Sequence, residues 1–141
     1  MLKVKLRMDY RGTTKSSYFF FGNRSPEKMA AEVRDQQTNM LKNIPIQGIN
    51  IEEINTGAEV YTVHDSLHSS DEVAYAPAEI IINADSLEDL VRFIMREEFR
   101  KIEILDPPEL VLNKQDMERM FFKVNEELKC LIPTLIRKLE R

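Results

Sequence analysis

Leu2-Lys3-Val4-Lys5-Leu6-Arg7-Met8-Asp9-Tyr10-Arg11 alternates apolar and charged residues along ten positions. Side chains of a strand point to opposite faces with period two, so the stretch predicts a strand with Leu2, Val4, Leu6, Met8 and Tyr10 on one face. The other face carries a basic stripe of Lys3, Lys5, Arg7 and Arg11. One apolar face needs a covering layer, and the helices that follow supply it, which points to an α+β domain.

Arg11-Gly12-Thr13-Thr14-Lys15 reads as a turn, and Ser17-Tyr18-Phe19-Phe20-Phe21, aromatic on both faces, as a second strand closing a hairpin. Ser25-Pro26-Glu27 opens a helix, because Ser caps free N–H groups, Pro at the first helical position loses nothing and Glu favours the positive dipole end. Met29, Val33, Met40 and Leu41 keep helical spacing to about Lys42, where Asn43-Ile44-Pro45 stops it. Ile49, Ile51 and, after an irregularity, Ile54 predict a strand; Asn55-Thr56-Gly57 reads as a hairpin-type loop before Val60, Tyr61 and Val63. His64 to Pro77 lacks periodicity and reads as a polar loop, after which Ile80-Ile81-Ile82 is a buried central strand.

Ser86 caps a helix with Leu87, Leu90, Val91, Ile94 and Phe99 on one face, and Lys101-Ile102-Glu103-Ile104-Leu105 is a strand ended by Asp106-Pro107-Pro108. Asn113-Lys114-Gln115-Asp116 caps a long C-terminal helix whose Met117, Phe121, Val124, Leu128, Leu131 and Leu135 recur in four-three steps. Pro133 inside it predicts a kink or restart near Leu131-Ile132. The order β-β-α-β-β-β-α-β-α favours an antiparallel or mixed sheet with helices packed on one face. A single domain spanning residues 1–141 is expected, with possible sub-units 1–63 and 76–141 joined by the polar loop 64–75.

Ala78 to about Leu128 resembles the C-terminal extension of WYL-domain transcriptional regulators, in its apolar strand, its capped helix with Leu87, Leu90 and Ile94, and its Ile102-Glu103-Ile104-Leu105-Asp106-Pro107-Pro108-Glu109-Leu110 segment. The Trp-Tyr-Leu signature and a preceding helix-turn-helix are not in this chain. The resemblance implies a small ferredoxin-like module in the C-terminal half, associated with dimerisation and ligand response.

With 141 residues, 43% hydrophobic and 31% charged, the chain can build a substantial core. Its longest apolar runs fall short of the roughly 18–20 residues of a membrane-spanning helix, so no membrane partner is expected. No secretory pattern is visible at Met1-Leu2-Lys3, and one cysteine makes no internal disulfide, in keeping with a cytoplasmic protein. Net charge is +5 over residues 1–50, −8 over 51–85 and −1 over 86–141, so the acidic middle can pack beside the basic first strand.

No catalytic constellation or cofactor motif is found, and a non-enzymatic protein without cofactor is expected. His64 and His68, with Asp65, Asp71 and Glu72, resemble metal spacing, but only a helix would bring the histidines together, so no metal site is expected. Glu52, Glu53, Asp71 and Glu72 lack the spacing of an acid/base pair. Cys130 lies within the C-terminal seam and is expected to be buried. The stripe Lys3, Lys5, Arg7 and Arg11 is a candidate anion site, and nucleic-acid binding through it the alternative function. The leading expectation is a binding or regulatory module that self-associates as a dimer and contacts a protein partner or small regulatory ligand. Its partner surface is placed at Phe121, Phe122, Leu128, Leu135 and Ile136 on the last helix, whose apolar residues exceed a narrow stripe.

Overall fold

A computed structural model describes residues 1–13, 25–64 and 72–140. The expected strand over Ser17–Phe21 lies outside them. The opening strand, β1 (Leu2–Thr13), does not turn at Gly12 but runs on to Thr13, paired antiparallel with β4 (Glu72–Ala84) from Leu2↔Ala84 to Thr13↔Val73. Gly12 serves packing here: a Cβ on it would lie 2.2 Å from the backbone nitrogen of Ala30. Glycine lets the helix α1 (Pro26–Asn43) approach the strand that closely.

β2 (Ile49–Asn55) and β3 (Tyr61–His64) do not form the expected hairpin. Both pair antiparallel with β4, end to end along its outer side: β3 against residues 72–75 and β2 against 79–84. β4 is longer than the sequence implies, because Glu72–Pro77 is strand and not loop. Its alternation hides in small residues: Ala74, Ala76 and Ala78 face the core as fully as Ile80 and Ile82 do. Pro77 sits in the gap between the β3 and β2 ladders, where a missing N–H is tolerated. The irregularity before Ile54 is a register shift between Ile51 and Glu53.

The strand order is β2-β4-β1-β5, with β3 also on β4 and β5 (Phe99–Asp106) at the far edge. This is an α+β fold whose sheet, among the described residues, has five antiparallel strands. β4 and β5 are not neighbours, because β1 lies between them, so residues 78–128 form no sheet of their own. Val4, Leu6, Met8, Ile80 and Ile82 meet Leu41, Leu90 and Phe93 from the helices in one buried cluster. α1 begins where Ser25 Oγ accepts from Lys28 N (3.3 Å), and it lies over β1 and β4 above the small residues Ala74 and Ala76. α2 (Leu87–Ile94) is capped by Ser86, whose Oγ accepts from Asp89 N at 3.2 Å. Phe99, expected on that helix, instead starts β5.

Tyr10 is buried under this layer, only 3% exposed, and burial pushes its phenol up to about 12 from the usual 10. The folded state holds the proton more tightly than the unfolded chain, so the stabilisation is complete below pH 10 and disappears as pH rises toward 12. About 2–3 kcal/mol should be lost over that window. Urea titrations at pH 9 and pH 12 should give Tyr10→Phe a smaller loss than wild type; equal losses would show that Tyr10 is not the group responsible.

Candidate functional site

The last helix, α3 (Lys114–Glu140), starts with a reciprocal cap: Asn113 Oδ1 accepts from Asp116 N (2.8 Å) and Asp116 Oδ2 from Asn113 N (3.1 Å). It passes through Pro133 as one helix, without the expected restart. α3 packs against α2 through a half-buried stripe of Met120, Lys123, Val124, Glu127 and Leu131, and not one of its 27 residues is buried. Two ion pairs hold its ends: Arg119 to Glu88 at the start of α2 (3.6 Å), and Lys138 to Glu97 before β5 (2.9 Å).

The seam expected from the sequence is therefore divided. Val124 and Leu131 face α2, whereas Met117, Phe121, Leu128 and Leu135 are exposed, joined by Ile132 and Leu139. At 3.6 residues per turn these exposed residues form one stripe about a quarter turn from the packed one. Phe121 is 76% exposed, and Phe122, Leu128, Leu135 and Ile136 are each exposed as well. Phe122 and Ile136 lie beyond the stripe, Phe122 lining an open pocket with Glu88 of α2, so apolar surface extends around much of the helix. Cys130, expected to be buried, is exposed on the flank of α3.

A second exposed element missed by sequence reasoning is β5, exposed from Arg100 to Asp106 and, among the described residues, paired with β1 alone. Ile102 and Ile104 oppose Leu6 and Val4, so they lie on the helix-bearing face, yet both are exposed. Their alternation was legible as a strand; that the strand stands at an edge follows only from the sheet order.

Three cations of the basic stripe have acidic neighbours. Lys3 Nζ lies 3.3 Å from Glu52, Lys5 Nζ 3.7 Å from Glu79, and Arg7 Nε 3.0 Å from Asp9. Glu52, which accepts from Asn83 and Lys3, is held below the usual carboxylate range. Thus the acidic middle of the chain pairs with the basic first strand. Asp9 is 3% exposed and also accepts from Tyr61 Oη at 2.5 Å, with Arg100 Nε at 3.9 Å. Its hydrogen bond raises Arg7, and burial with the same carboxylate raises Tyr61. Held by these donors, Asp9 anchors β3 and β5 to β1. Arg11 lies further along, opposite Tyr75.

A cleft of about 500 Å³ opens beyond the start of β5, lined among others by Tyr10, Arg11, Gln37, Glu98, Arg100 and Lys138. His64 ends β3 opposite Glu72, while His68, Asp65 and Asp71 lie outside the described residues. Among the described residues no helix is long and apolar enough to cross a membrane. Compared with known proteins, the chain matches no family model, no curated protein and no solved structure.

Proposed function

We propose that this protein is a non-enzymatic, cytoplasmic binding module that dimerises through α3 and, as a dimer, contacts a protein partner or a small regulatory ligand. The observation that carries this is the apolar stripe from Met117 to Leu139 on a helix without a buried residue. Covering such side chains is worth about 1.5–3 kcal/mol each, and leaving them in water forgoes that stabilisation. A stripe with four-three spacing fits a second copy of itself, since side chains at that spacing interlock between two helices, and a two-fold axis satisfies both protomers at once. The cleft beside Gln37 and Arg100 offers room for a small polar ligand.

Sedimentation should find a concentration-dependent dimer. Phe121→Glu enters the interface twice and should weaken dimerisation by about a hundredfold or more, while circular dichroism and the unfolding midpoint stay near wild type because the side chain supports no core. A wild-type protein that stays monomeric at high concentration would refute the proposal.

A further inference from the structure

The dimer proposed above needs more surface than α3 provides. Its apolar stripe is about 33 Å long at about 1.5 Å per residue and about 10 Å wide, so two stripes bury on the order of 700 Å², short of the roughly 1,200 Å² of a stable specific dimer. The edge of β5 can supply the remainder. Among the described residues it is unpaired on its outer side, is exposed from Arg100 to Asp106, and carries Ile102 and Ile104 on the same side of the sheet as the helices. An open edge with exposed isoleucines is a template for another strand.

Resting on the reading of α3 as a dimer surface, we infer that β5 pairs antiparallel with β5 of a second copy, about a two-fold axis at Ile102, joining the two sheets into one. The charges of the strand select both the occupant and the register. Shifts between Arg7 and Met8 and between Lys3 and Val4 confine the regular segment of β5 to Lys101–Ile104. Opposed residues in such a pair share a face, so a two-fold axis perpendicular to the sheet passes through a residue. With the axis at Ile102, the two isoleucines meet, and Lys101 of each copy faces Glu103 of the other, giving two symmetric ion pairs. Moving the axis to Lys101 sets lysine against lysine, and moving it to Glu103 sets glutamate against glutamate. An edge protected only against association would carry like charges or a proline here; β5 carries opposite charges two residues apart, which is self-complementary.

The test is a charge exchange between copies. Lys101→Glu and Glu103→Lys should each weaken self-association by at least about tenfold, because each sets like charges opposite one another twice. An equal mixture of the two variants should restore a dimer of wild-type affinity, a heterodimer in which every 101–103 pair is again opposite in sign. Singles that dimerise like wild type, with Phe121→Glu monomeric, would overturn the edge pairing and leave the α3 reading standing. Singles that weaken, with Phe121→Glu still dimeric, would support the edge pairing and remove α3 from the interface. Failure of the mixture to restore the dimer would also overturn it. Glu103→Lys meets Lys5 within its own chain; should it fail to fold, Ile102→Cys in a Cys130→Ser background decides. The paired Cβ atoms would stand about 5 Å apart, near disulfide distance, so mild oxidation should give a covalent dimer, and a product that stays monomeric would overturn the inference.

Discussion

Gly12→Ala is expected to cost about 3 kcal/mol or more, at the upper end of overpacking penalties. The new methyl group would lie 2.2 Å from Ala30 N, and 2.7 Å from both Ala30 Cα and Pro26 O. All three are backbone atoms of the first turns of α1, so no side-chain rotation relieves the overlap, and the helix must lift from β1. Ala30, Ala74 and Ala76 share that region and are completely buried. A fold whose total stability is of the order of 5–15 kcal/mol would lose a large fraction of it. The urea midpoint should fall sharply for Gly12→Ala and remain nearly unchanged for Thr13→Ala beside it. An unaltered midpoint for Gly12→Ala would mean that α1 does not rest on β1 at this point.

Phe93→Ala should cost about 3–5 kcal/mol, the range for removing a buried aromatic side chain. Phe93 is 2% exposed and joins α2 to the cluster of Leu6, Met8 and Ile80. α3 in turn packs on α2, so loosening Phe93 should also disturb the helix that carries the proposed interface. Phe121→Ala is expected to give the opposite pattern, with little change in the unfolding midpoint and weaker self-association through the proposed interface. Thermal melts and sedimentation on both variants separate the two roles; similar midpoints for the two would mean that Phe93 is not a core residue.

Most elements could be read from local signals because each has a local cause. The period-two alternation of Leu2–Tyr10 gives β1, and serines at positions 25 and 86 begin α1 and α2 by accepting backbone hydrogen bonds. Ile44-Pro45 ends α1. The reading failed where a residue type has two uses. Gly12 looks like a turn but makes room for a helix, and Ala74-Tyr75-Ala76-Pro77 looks like loop because alanine contributes little apolar signal, although its burial is complete. Asn55-Thr56-Gly57 looks like a hairpin loop, but β4 is long enough to take β2 and β3 in succession, and that competition is invisible in either short strand alone.

The candidate site was legible in part. Its helix and its apolar residues, Phe121, Phe122, Leu128, Leu135 and Ile136, follow from spacing alone. Which of those residues lie free was decided by α2, which takes the stripe through Val124 and Leu131 and leaves the adjacent one in water. Likewise the sequence determined that Lys3, Lys5 and Arg7 share a face, through the period of the strand. Only the tertiary structure decided that Glu52, Glu79 and Asp9 pair with them and that β5 ends the sheet among the described residues, because pairing partners in an antiparallel sheet lie far apart in the chain and are set by how whole strands dock.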